Sequence, residues 1–378
     1  YCLFIEKSSN LINEKGVVSL ITSNKWIRAI YGEPLRNYLK DNNRIISFID
    51  FKSVKIFKTA DVDTSIIVYT KEKFDDFKFL EINSKSIYLD FITKKNNIFI
   101  PINTQSLKER FWILSNEQNT QLFFKIYNEK NILKFDKNRF RSGIKTGMID
   151  AFVVDTLQKN IITKSSKKEN KIFKKILRGS SFKRYTFEWE DYWLINSHGG
   201  YKEFSSINLE KDFPKTFNHV KKFETKLKKR TDKVIKWTNL RSCAYLDEFD
   251  LPKVAWMGMN RSWKFSYIPE DYIMDNTISF LADKEYAKFL VGIYSSKLHR
   301  WFFKQIGTMF DDGGFMCKVD TVSQFPIKKP TKDEKYKIEK YVDKMITKYD
   351  QKFDDEINEI VMKMYNLTES EKKIIRND

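Results

Sequence analysis

Short apolar runs alternate with helix-like segments through residues 1–71, and this alternation limits the fold more than any other feature of the chain. The runs at 17–21, 44–49 and 64–69 are typical of strands, and a helix that begins near Pro34 separates the first two. Apolar strands that alternate with helices indicate a mostly parallel sheet that is covered on both faces. We therefore predict that the chain begins with an α/β domain.

The sequence also predicts how the chain divides. No glycine-rich turn of the kind that opens such a sheet is present, so we expect residues 1–77 to be the later part of a catalytic domain in a truncated or split polypeptide. Residues 78–134 read as a connecting segment that is partly helical, mainly from residue 106 onward. Short strand-like runs and frequent glycines at 135–330 predict an α+β domain. Apolar stripes at helical spacing predict a helical tail at 331–378.

The charge balance indicates an anionic partner. The 378 residues carry a formal net charge of +19, and 31% of them are Asp, Glu, Lys or Arg. A positive excess of this size is the electrostatic signature of nucleic-acid binding. The alternative is a lysine-rich amino-acid usage in the host, which raises the net charge without forming a binding surface.

The cysteines and histidines argue against disulfides and zinc. Cys2, Cys243 and Cys317 lie far apart in the sequence, which is typical of a reducing compartment, and we expect a cytoplasmic location. The three histidines are equally isolated, so we expect no metal site. No apolar run reaches the length of a membrane span, so we expect no membrane association.

Familiar catalytic motifs are missing from the sequence, including a Walker A loop, a GxGxxG turn, a GxSxG elbow and an HExxH helix. Asp247, Glu248, Asp250 and Lys253 have the residue types of a carboxylate–lysine nuclease, but a charged turn before a strand is the preferred interpretation. The basic residues at 221–230 lie on the polar side of a predicted helix, where they contact either solvent or phosphate.

Several short motifs occur in a characteristic order. Those near the start are Phe4-Ile5-Glu6-Lys7, Lys15-Gly16-Val17-Val18, Thr22-Ser23-Asn24-Lys25-Trp26, Pro34-Leu35-Arg36 and the stretch 55–68. Those further on are Gly143-Ile144-Lys145-Thr146-Gly147, Leu177-Arg178-Gly179, Leu251-Pro252-Lys253-Val254, Asp311-Asp312-Gly313-Gly314 and Phe325-Pro326-Ile327. In order and spacing, these motifs resemble the TaqI-type adenine-specific DNA methyltransferases, which include fused type II restriction-modification enzymes. The resemblance covers nearly the whole chain and places it in the C-terminal part of such an enzyme.

The resemblance implies a function for each predicted domain. Residues 1–77 would end a Rossmann-like methyltransferase sheet, and residues 135–330 would form a DNA target-recognition domain. The complete enzyme would use S-adenosylmethionine and bind double-stranded DNA. The family's cofactor loop and its Asn-Pro-Pro-Tyr motif do not occur in this sequence. We therefore expect no cofactor-binding residues and no methyl transfer by this chain alone. Its partner would be the missing N-terminal catalytic part or a separate subunit.

The resemblance also assigns one catalytic-domain residue. Phe57 matches the family position whose ring stacks on the target adenine after that base has left the duplex. Without the resemblance, a core phenylalanine would be the preferred interpretation, because the chain contains 32 Phe residues.

We predict that the base contacts come mainly from the second domain. Gly143 and Gly147 allow the backbone near Lys145 to approach DNA closely, and Gly179 precedes the basic pair Lys183-Arg184. The alternative is that the glycine loop only turns the chain between strands. The predicted DNA-binding residues are Lys145, Thr146, Lys183, Arg184, Tyr185, Lys222, Lys229 and Arg230.

The predicted function is sequence-specific DNA recognition within an S-adenosylmethionine-dependent adenine methyltransferase of a restriction-modification system. The alternative is a stand-alone DNA specificity subunit that delivers a separate methyltransferase or nuclease. In that alternative, the helical tail would serve as a docking device.

Overall fold

A computed structural model describes residues 1–52, 54–59, 62–72, 75–82, 85–93, 99–108, 110–232, 234–310 and 313–378. Two parts of the motifs quoted above, Ala60-Asp61 and Asp311-Asp312, lie outside these residues. The described chain forms two compact units. Unit 1 contains Tyr1–Lys130, Trp301–Met316 and Thr368–Asp378, and unit 2 contains Asn131–Arg300 and Cys317–Leu367. The four predicted domains are consecutive in the sequence, whereas each unit combines separate stretches of chain. The predicted boundaries, and the functions assigned to the domains, therefore stay predictions.

Helices and strands occur in both units. The helices are α1 Cys2–Leu11, α2 Glu33–Asn42, α3 Lys85–Thr93, α4 Glu117–Tyr127, α5 Ile149–Phe152, α6 Thr156–Thr163, α7 Lys167–Asn170, α8 Leu209–Asp212, α9 Pro214–Lys221, α10 Glu224–Lys228, α11 Ala287–Ser295, α12 Lys297–Ile306, α13 Val319–Val322, α14 Lys332–Thr347, α15 Gln351–Met364 and α16 Glu369–Arg376. The strands are β1 Val17–Ser23, β2 Arg44–Asp50, β3 Thr64–Thr70, β4 Asp76–Glu81, β5 Ile100–Asn103, β6 Phe140–Ser142, β7 Val153–Asp155, β8 Phe173–Leu177, β9 Tyr192–Ile195, β10 Lys253–Met257, β11 Met259–Asn260, β12 Phe265–Ile268, β13 Tyr272–Met274, β14 Ile278–Ala282, β15 Thr308–Met309 and β16 Phe315–Met316.

Unit 1 is built on a sheet with the strand order β1-β3-β2-β4-β5. Strand β3 lies between β1 and β2 and runs antiparallel to both, with Ser23 opposite Thr64 and Asp50 opposite Ser65. Strands β1 and β2 therefore run in the same direction and end at the same edge of the sheet. The connection from β2 to β3, residues 51–63, leaves the sheet at this edge.

The strands predicted at 17–21, 44–49 and 64–69 are confirmed, but the mostly parallel pairing is wrong. Strands β2 and β4 pair parallel, whereas the pairs β1–β3, β2–β3 and β4–β5 are antiparallel. An apolar run shows that a strand is buried on both faces and does not encode its direction. The mixed α/β character and the helical C-terminal region are confirmed.

The core of unit 1 forms around Trp26, which follows β1. Its indole is fully buried and makes edge contacts with the rings of Phe48 on β2 and Trp112, at centroid distances of 5.9 and 5.7 Å. Arg36 of α2 is also fully buried and donates hydrogen bonds to the carbonyl oxygens of Trp26, Ala29 and Arg110. Because these carbonyls accept its donors, the buried cation fixes the path of the chain after β1.

Unit 2 contains two sheets, with the strand orders β12-β10-β14-β6 and β13-β8-β9-β7. One apolar cluster includes residues of both sheets, such as Ala255 and Phe280 of the first and Leu177 and Leu194 of the second. The two sheets therefore share a core within this unit.

Helices α14 and α15 of the predicted tail belong to unit 2 and pack on α11. Helix α11 packs closely on α14 at Gly292, where a Cβ atom would lie 2.4 Å from the Ile338 side chain. The apolar stripe residues Ile338, Val342 and Ile357 are fully buried. Helix α16 belongs to unit 1, where Glu371 pairs with Lys125 of α4. The apolar stripes of α14 and α15 are thus covered by this chain itself, which leaves little for the predicted docking role.

Two element boundaries differ from those predicted. The helix predicted from residue 106 begins only at Glu117, because the Asn116 side chain caps it by accepting from the Asn119 amide. Among the short strand-like runs of the second predicted domain, the run at 151–154 forms a strand only from Val153, since the short helix α5 takes the residues before it. Tertiary packing decides such short apolar runs, which sequence periodicity leaves ambiguous.

No helix in the described part of the chain is both long enough and apolar enough to cross a membrane.

Candidate nucleic-acid interface

The glycine loop at 143–147 lies against the β13–β14 connection of unit 2. The amide of Gly143 donates to the Ile278 carbonyl at 2.7 Å, and the amide of Ile144 donates to the Met274 carbonyl at 2.8 Å. A Cβ atom at position 143 would lie 1.9 Å from the carbonyl oxygen of Asp275, so only glycine fits there. The first glycine is therefore required by this close backbone contact. Lys145 projects from the loop and is exposed.

Arg230 holds the other end of this loop. Its Nη1 donates to the Thr146 carbonyl at 3.4 Å, and its Nη2 donates to the carbonyls of Trp237 and Asn239 at 3.0 and 2.8 Å. Gly147 has a φ of +80°, and a Cβ atom there would lie 2.4 Å from Arg230 Nη1. Only 6% of the Arg230 side chain is exposed. Arg230 thus joins the glycine loop to the basic segment, and its guanidinium donates hydrogen bonds to backbone carbonyls.

The basic segment before Arg230 consists of two helices, α9 and α10, instead of the single predicted helix. Lys222 and Lys229 are both exposed. The N-terminus of α9 is capped from another element by Glu169, whose buried carboxylate accepts from the amides of Lys215 and Thr216 at 3.0 and 3.1 Å. A carboxylate at a helix N-terminus satisfies free amides and complements the helix dipole. Glu169 therefore fixes the start of α9, the helix that ends directly before Lys222.

The triplet at 183–185 is held by helix α15 and by the backbone of β12. Tyr185 is fully buried with a φ of +72°, and its hydroxyl donates to Asp354 Oδ1. Arg184 Nη2 lies 2.7 Å from the same carboxylate oxygen and also donates to the Ser295 carbonyl at 2.8 Å. Lys183 is exposed and forms a surface ion pair with Glu188. Such an exposed pair contributes little, so Lys183 can exchange it for a phosphate.

The predicted DNA-binding residues therefore fall into two groups. Lys145, Lys183, Lys222 and Lys229 are exposed, whereas Thr146, Arg184, Tyr185 and Arg230 are engaged inside unit 2. Each role in DNA binding stays a prediction, and the geometry favours an indirect role for the second group. Asp354 could not be found from sequence, because its partner Tyr185 lies 169 positions away.

The acidic residues considered for a nuclease lie in a charged turn before β10, and Lys253 begins that strand. This is the interpretation preferred from the sequence. Glu248 forms an ion pair with Arg141 at 2.9 Å, and Asp247 pairs with Lys202. Lys253 is fully buried and donates to the carbonyls of Phe249 and Pro269 at 2.8 and 2.9 Å. Burial lowers the pKa of Lys253 to about 7. Among the described residues, no group of His, Cys, Asp or Glu is arranged to hold a metal ion.

In unit 1, Phe57 lies in the connection that leaves the sheet after β2. Its neighbours Val54 and Ile56 pack against the small apolar cluster formed by Ile49, Phe51, Leu80 and Ile82. The side chain of Phe57 is 43% exposed, so the ring is open to a partner. The stacking role of Phe57 stays a prediction.

A buried carboxylate lies where this connection begins. Asp50 ends β2, its side chain is fully buried, and Oδ1 accepts from Asn24 Nδ2 at 2.6 Å and from the Lys52 amide at 2.9 Å. Its Oδ2 accepts from Arg28 Nη2 at 2.9 Å. Burial alone would raise the pKa of Asp50, but the cations of Arg28 and Lys52 and these hydrogen bonds lower it below its ordinary value. Asp50 was not among the predicted site residues, although a carboxylate at the end of an apolar strand is a usable signal.

Known proteins have sequences similar to this chain. Residues 1–57 match the family described as Eco57I restriction-modification methylase. The chain is 28% identical over 151 residues to the type II restriction enzyme and methyltransferase RM.Eco57I of Escherichia coli, which covers 39% of this chain and 15% of that protein. It is 23% identical over 255 residues to the type II methyltransferase M.BstVI of Geobacillus stearothermophilus, which covers 61% of this chain and 42% of that protein.

One solved structure has a fold similar to that of this chain. The type IIL restriction-modification enzyme MmeI in complex with DNA matches 99% of this chain and 50% of its own chain, with a TM-score of 0.65 and 14% sequence identity. The chain thus spans half or less of the length of each of these three proteins. The sequence similarities confirm the predicted resemblance: this chain is similar to restriction-modification methyltransferases, which include the fused enzyme RM.Eco57I.

Proposed function

We propose that this chain recognises DNA within an S-adenosylmethionine-dependent, adenine-specific DNA methyltransferase of a restriction-modification system. Unit 2 would bind double-stranded DNA and read the target sequence. Unit 1 would contribute Phe57, which stacks on the target adenine once the base has left the duplex. S-adenosylmethionine would supply the methyl group in the complete enzyme, and we assign no residue of this chain to the cofactor.

The observation that carries the proposal is the link between the glycine loop and the basic helices of unit 2. Arg230 binds the Thr146 carbonyl and lies at the end of the segment that carries Lys222 and Lys229. The loop that carries exposed Lys145 therefore contacts the end of the segment that carries these exposed lysines, in a protein with a net charge of +19. Lysines that contact phosphates provide affinity, and a loop held close to the groove can read bases.

The proposal includes a partner that completes the catalytic sheet. Strand β1 is at one edge of the sheet, and Val17 and Ile21 on it are 58% and 48% exposed. Leu3, Phe4 and Leu11 on the adjacent helix α1 are each more than 70% exposed. An apolar surface of this kind beside an unpaired strand edge fits a second body that adds a strand and covers the helix. We assign that place to the cofactor-binding part of the enzyme, in a longer polypeptide or in a separate subunit.

The test is DNA binding by the purified chain, measured by fluorescence anisotropy with a random-sequence duplex. If several lysines neutralise phosphates, the affinity falls by roughly three orders of magnitude between about 50 and 200 mM salt. Lys222→Ala and Lys229→Ala should each weaken binding and flatten the salt dependence. Lys340→Ala, at an exposed position of α14, is the matched control. Binding that does not respond to salt would overturn the assignment.

Duplexes enriched from a random pool by repeated binding then provide a preferred sequence. Lys145→Ala should weaken binding to that sequence more than binding to the random duplex, because a base contact is lost. An equal loss on both would make Lys145 a phosphate contact. Without a partner, the chain should leave both duplexes unmethylated in the presence of labelled S-adenosylmethionine. Labelling by the chain alone would contradict the assignment of cofactor binding to another part.

A further inference from the structure

We infer that Asp50 is a positioning residue that fixes the orientation of the Phe57 segment without contacting DNA. This inference rests on the proposed stacking function of Phe57. Its structural basis is the set of contacts that the Asp50 carboxylate makes at the edge of the unit 1 sheet.

The carboxylate joins three parts of the chain that meet at this edge. Asn24 follows the end of β1, Arg28 lies in the turn after it, and Lys52 is the second residue of the connection that carries Phe57. All three donate to Asp50, at 2.6, 2.9 and 2.9 Å. Because the carboxylate is fully buried, water cannot replace any of these donors.

The contact with Lys52 explains why the carboxylate acts on the segment. Lys52 has a φ of +48°, a left-handed conformation that is unfavourable for a lysine. Its amide is held by Asp50 Oδ1, and its Nζ forms an ion pair with Glu81 of β4 at 2.8 Å. The chain therefore turns at Lys52 under the control of Asp50, and the turn sets the direction in which residues 54–59 leave the sheet.

The inner side of the segment is fixed by packing, and the outer side is not. Val54 and Ile56 contact the apolar cluster below them, while Phe57 points outward with 43% of its side chain exposed. A ring that is exposed to this extent keeps a defined position only if the backbone beneath it is fixed. Asp50 supplies that constraint at the start of the segment, and the Asn24 amide supplies it at the end by donating to the Asp63 carbonyl at 3.0 Å.

The test places a spectroscopic probe at the ring. Phe57 is replaced by p-cyanophenylalanine in the full chain, and the infrared band of the nitrile is recorded in the Asp50 background and in Asp50→Ala and Asp50→Asn. We expect the band to broaden in Asp50→Ala and to broaden less in Asp50→Asn, which keeps the Oδ1 acceptor. Asp41→Ala, on the exposed face of α2, should leave the band unchanged.

A second probe separates positioning from general loosening of unit 1. The same nitrile at Phe4, an exposed position of α1, should give the same band in all backgrounds. Broadening at both positions, or at neither in folded Asp50→Ala, would overturn the inference. Asn24→Ala removes one donor and keeps the charges, so it gives the same test if Asp50→Ala does not fold. A broadened band at Phe57 is expected there as well.

A single-stranded oligodeoxyadenylate then tests stacking separately. A shift of the Phe57 nitrile band when it binds supports the proposed function. The absence of a shift in the Asp50 background would remove the stacking function and would leave the result on backbone position intact.

Discussion

Arg230 donates a hydrogen bond to the carbonyl oxygen of Thr146, and this contact joins two segments that lie 84 positions apart in the sequence. Both residues were predicted to contact DNA. In the structure, they contact each other and fix the backbone next to the exposed Lys145. The DNA contacts predicted for both residues stay predictions.

Arg230→Gln should lower both stability and DNA affinity. Glutamine cannot reach the carbonyls of Thr146, Trp237 and Asn239 together, so buried acceptors lose their partners, at about 1–3 kcal/mol. Urea unfolding and anisotropy binding measure the two effects. Lys229→Ala is the matched control, because this neighbour is exposed: it should weaken DNA binding and leave the free energy of unfolding unchanged. If Arg230→Gln weakened binding at full stability, Arg230 would be a direct DNA contact.

Asp354→Ala should destabilise unit 2 strongly. Its carboxylate is 2% exposed and lies 2.7 Å from Arg184, and it also accepts from the buried Tyr185 hydroxyl. Removing it leaves a largely buried cation without its counter-charge, which costs about 3–5 kcal/mol. Tyr185→Phe removes one hydrogen bond and should cost about 1 kcal/mol. Urea unfolding of the two variants measures both losses. Comparable small losses in the two variants would show that Arg184 is well solvated without Asp354.

Lys253→Met should change how stability depends on pH. Burial lowers the pKa of Lys253 to about 7 in the folded chain. An unfolded lysine titrates near 10.4, so between these values the unfolded chain binds more protons. The stability contribution of Lys253 therefore rises with pH across this window, by ~1.4 kcal/mol per pH unit. Methionine has no such dependence, so the advantage of the native chain over Lys253→Met should grow from about pH 7 to about pH 10.

Urea unfolding at several pH values measures this difference. Lys284→Met, at an exposed position, controls for the loss of one positive charge. A constant difference between the native chain and Lys253→Met across the window would mean that Lys253 is protonated throughout in the folded state.

The fold could be predicted from sequence where the signal is local. Apolar runs located the strands β1, β2 and β3, and helical stripes located α14 and α15. The antiparallel insertion of β3 could not be predicted, since burial on both faces gives the same pattern for either direction. The same limit applies to the site. The exposed lysines follow from composition and turns, whereas Asp50 and Asp354 act through partners that tertiary structure brings to them.

Phe57→Ala should leave the fold intact, because a ring that is 43% exposed leaves no cavity when it is removed. We expect the free energy of unfolding to change by no more than about 0.5 kcal/mol. Phe51→Ala in the same connection is the matched control: that ring is 3% exposed and contacts Tyr88 and Phe91, so its loss should cost about 3–5 kcal/mol.

Binding of a single-stranded oligodeoxyadenylate should respond to Phe57 through stacking. Phe57→Ala should weaken it by about 1–3 kcal/mol, and Phe57→Trp should retain it because an aromatic face remains. Anisotropy binding at constant salt measures both variants, so that changes in phosphate contacts do not enter. Equal affinity for the native chain and Phe57→Ala would assign the exposed ring to a different partner, since exposure alone does not distinguish a base from an apolar protein surface.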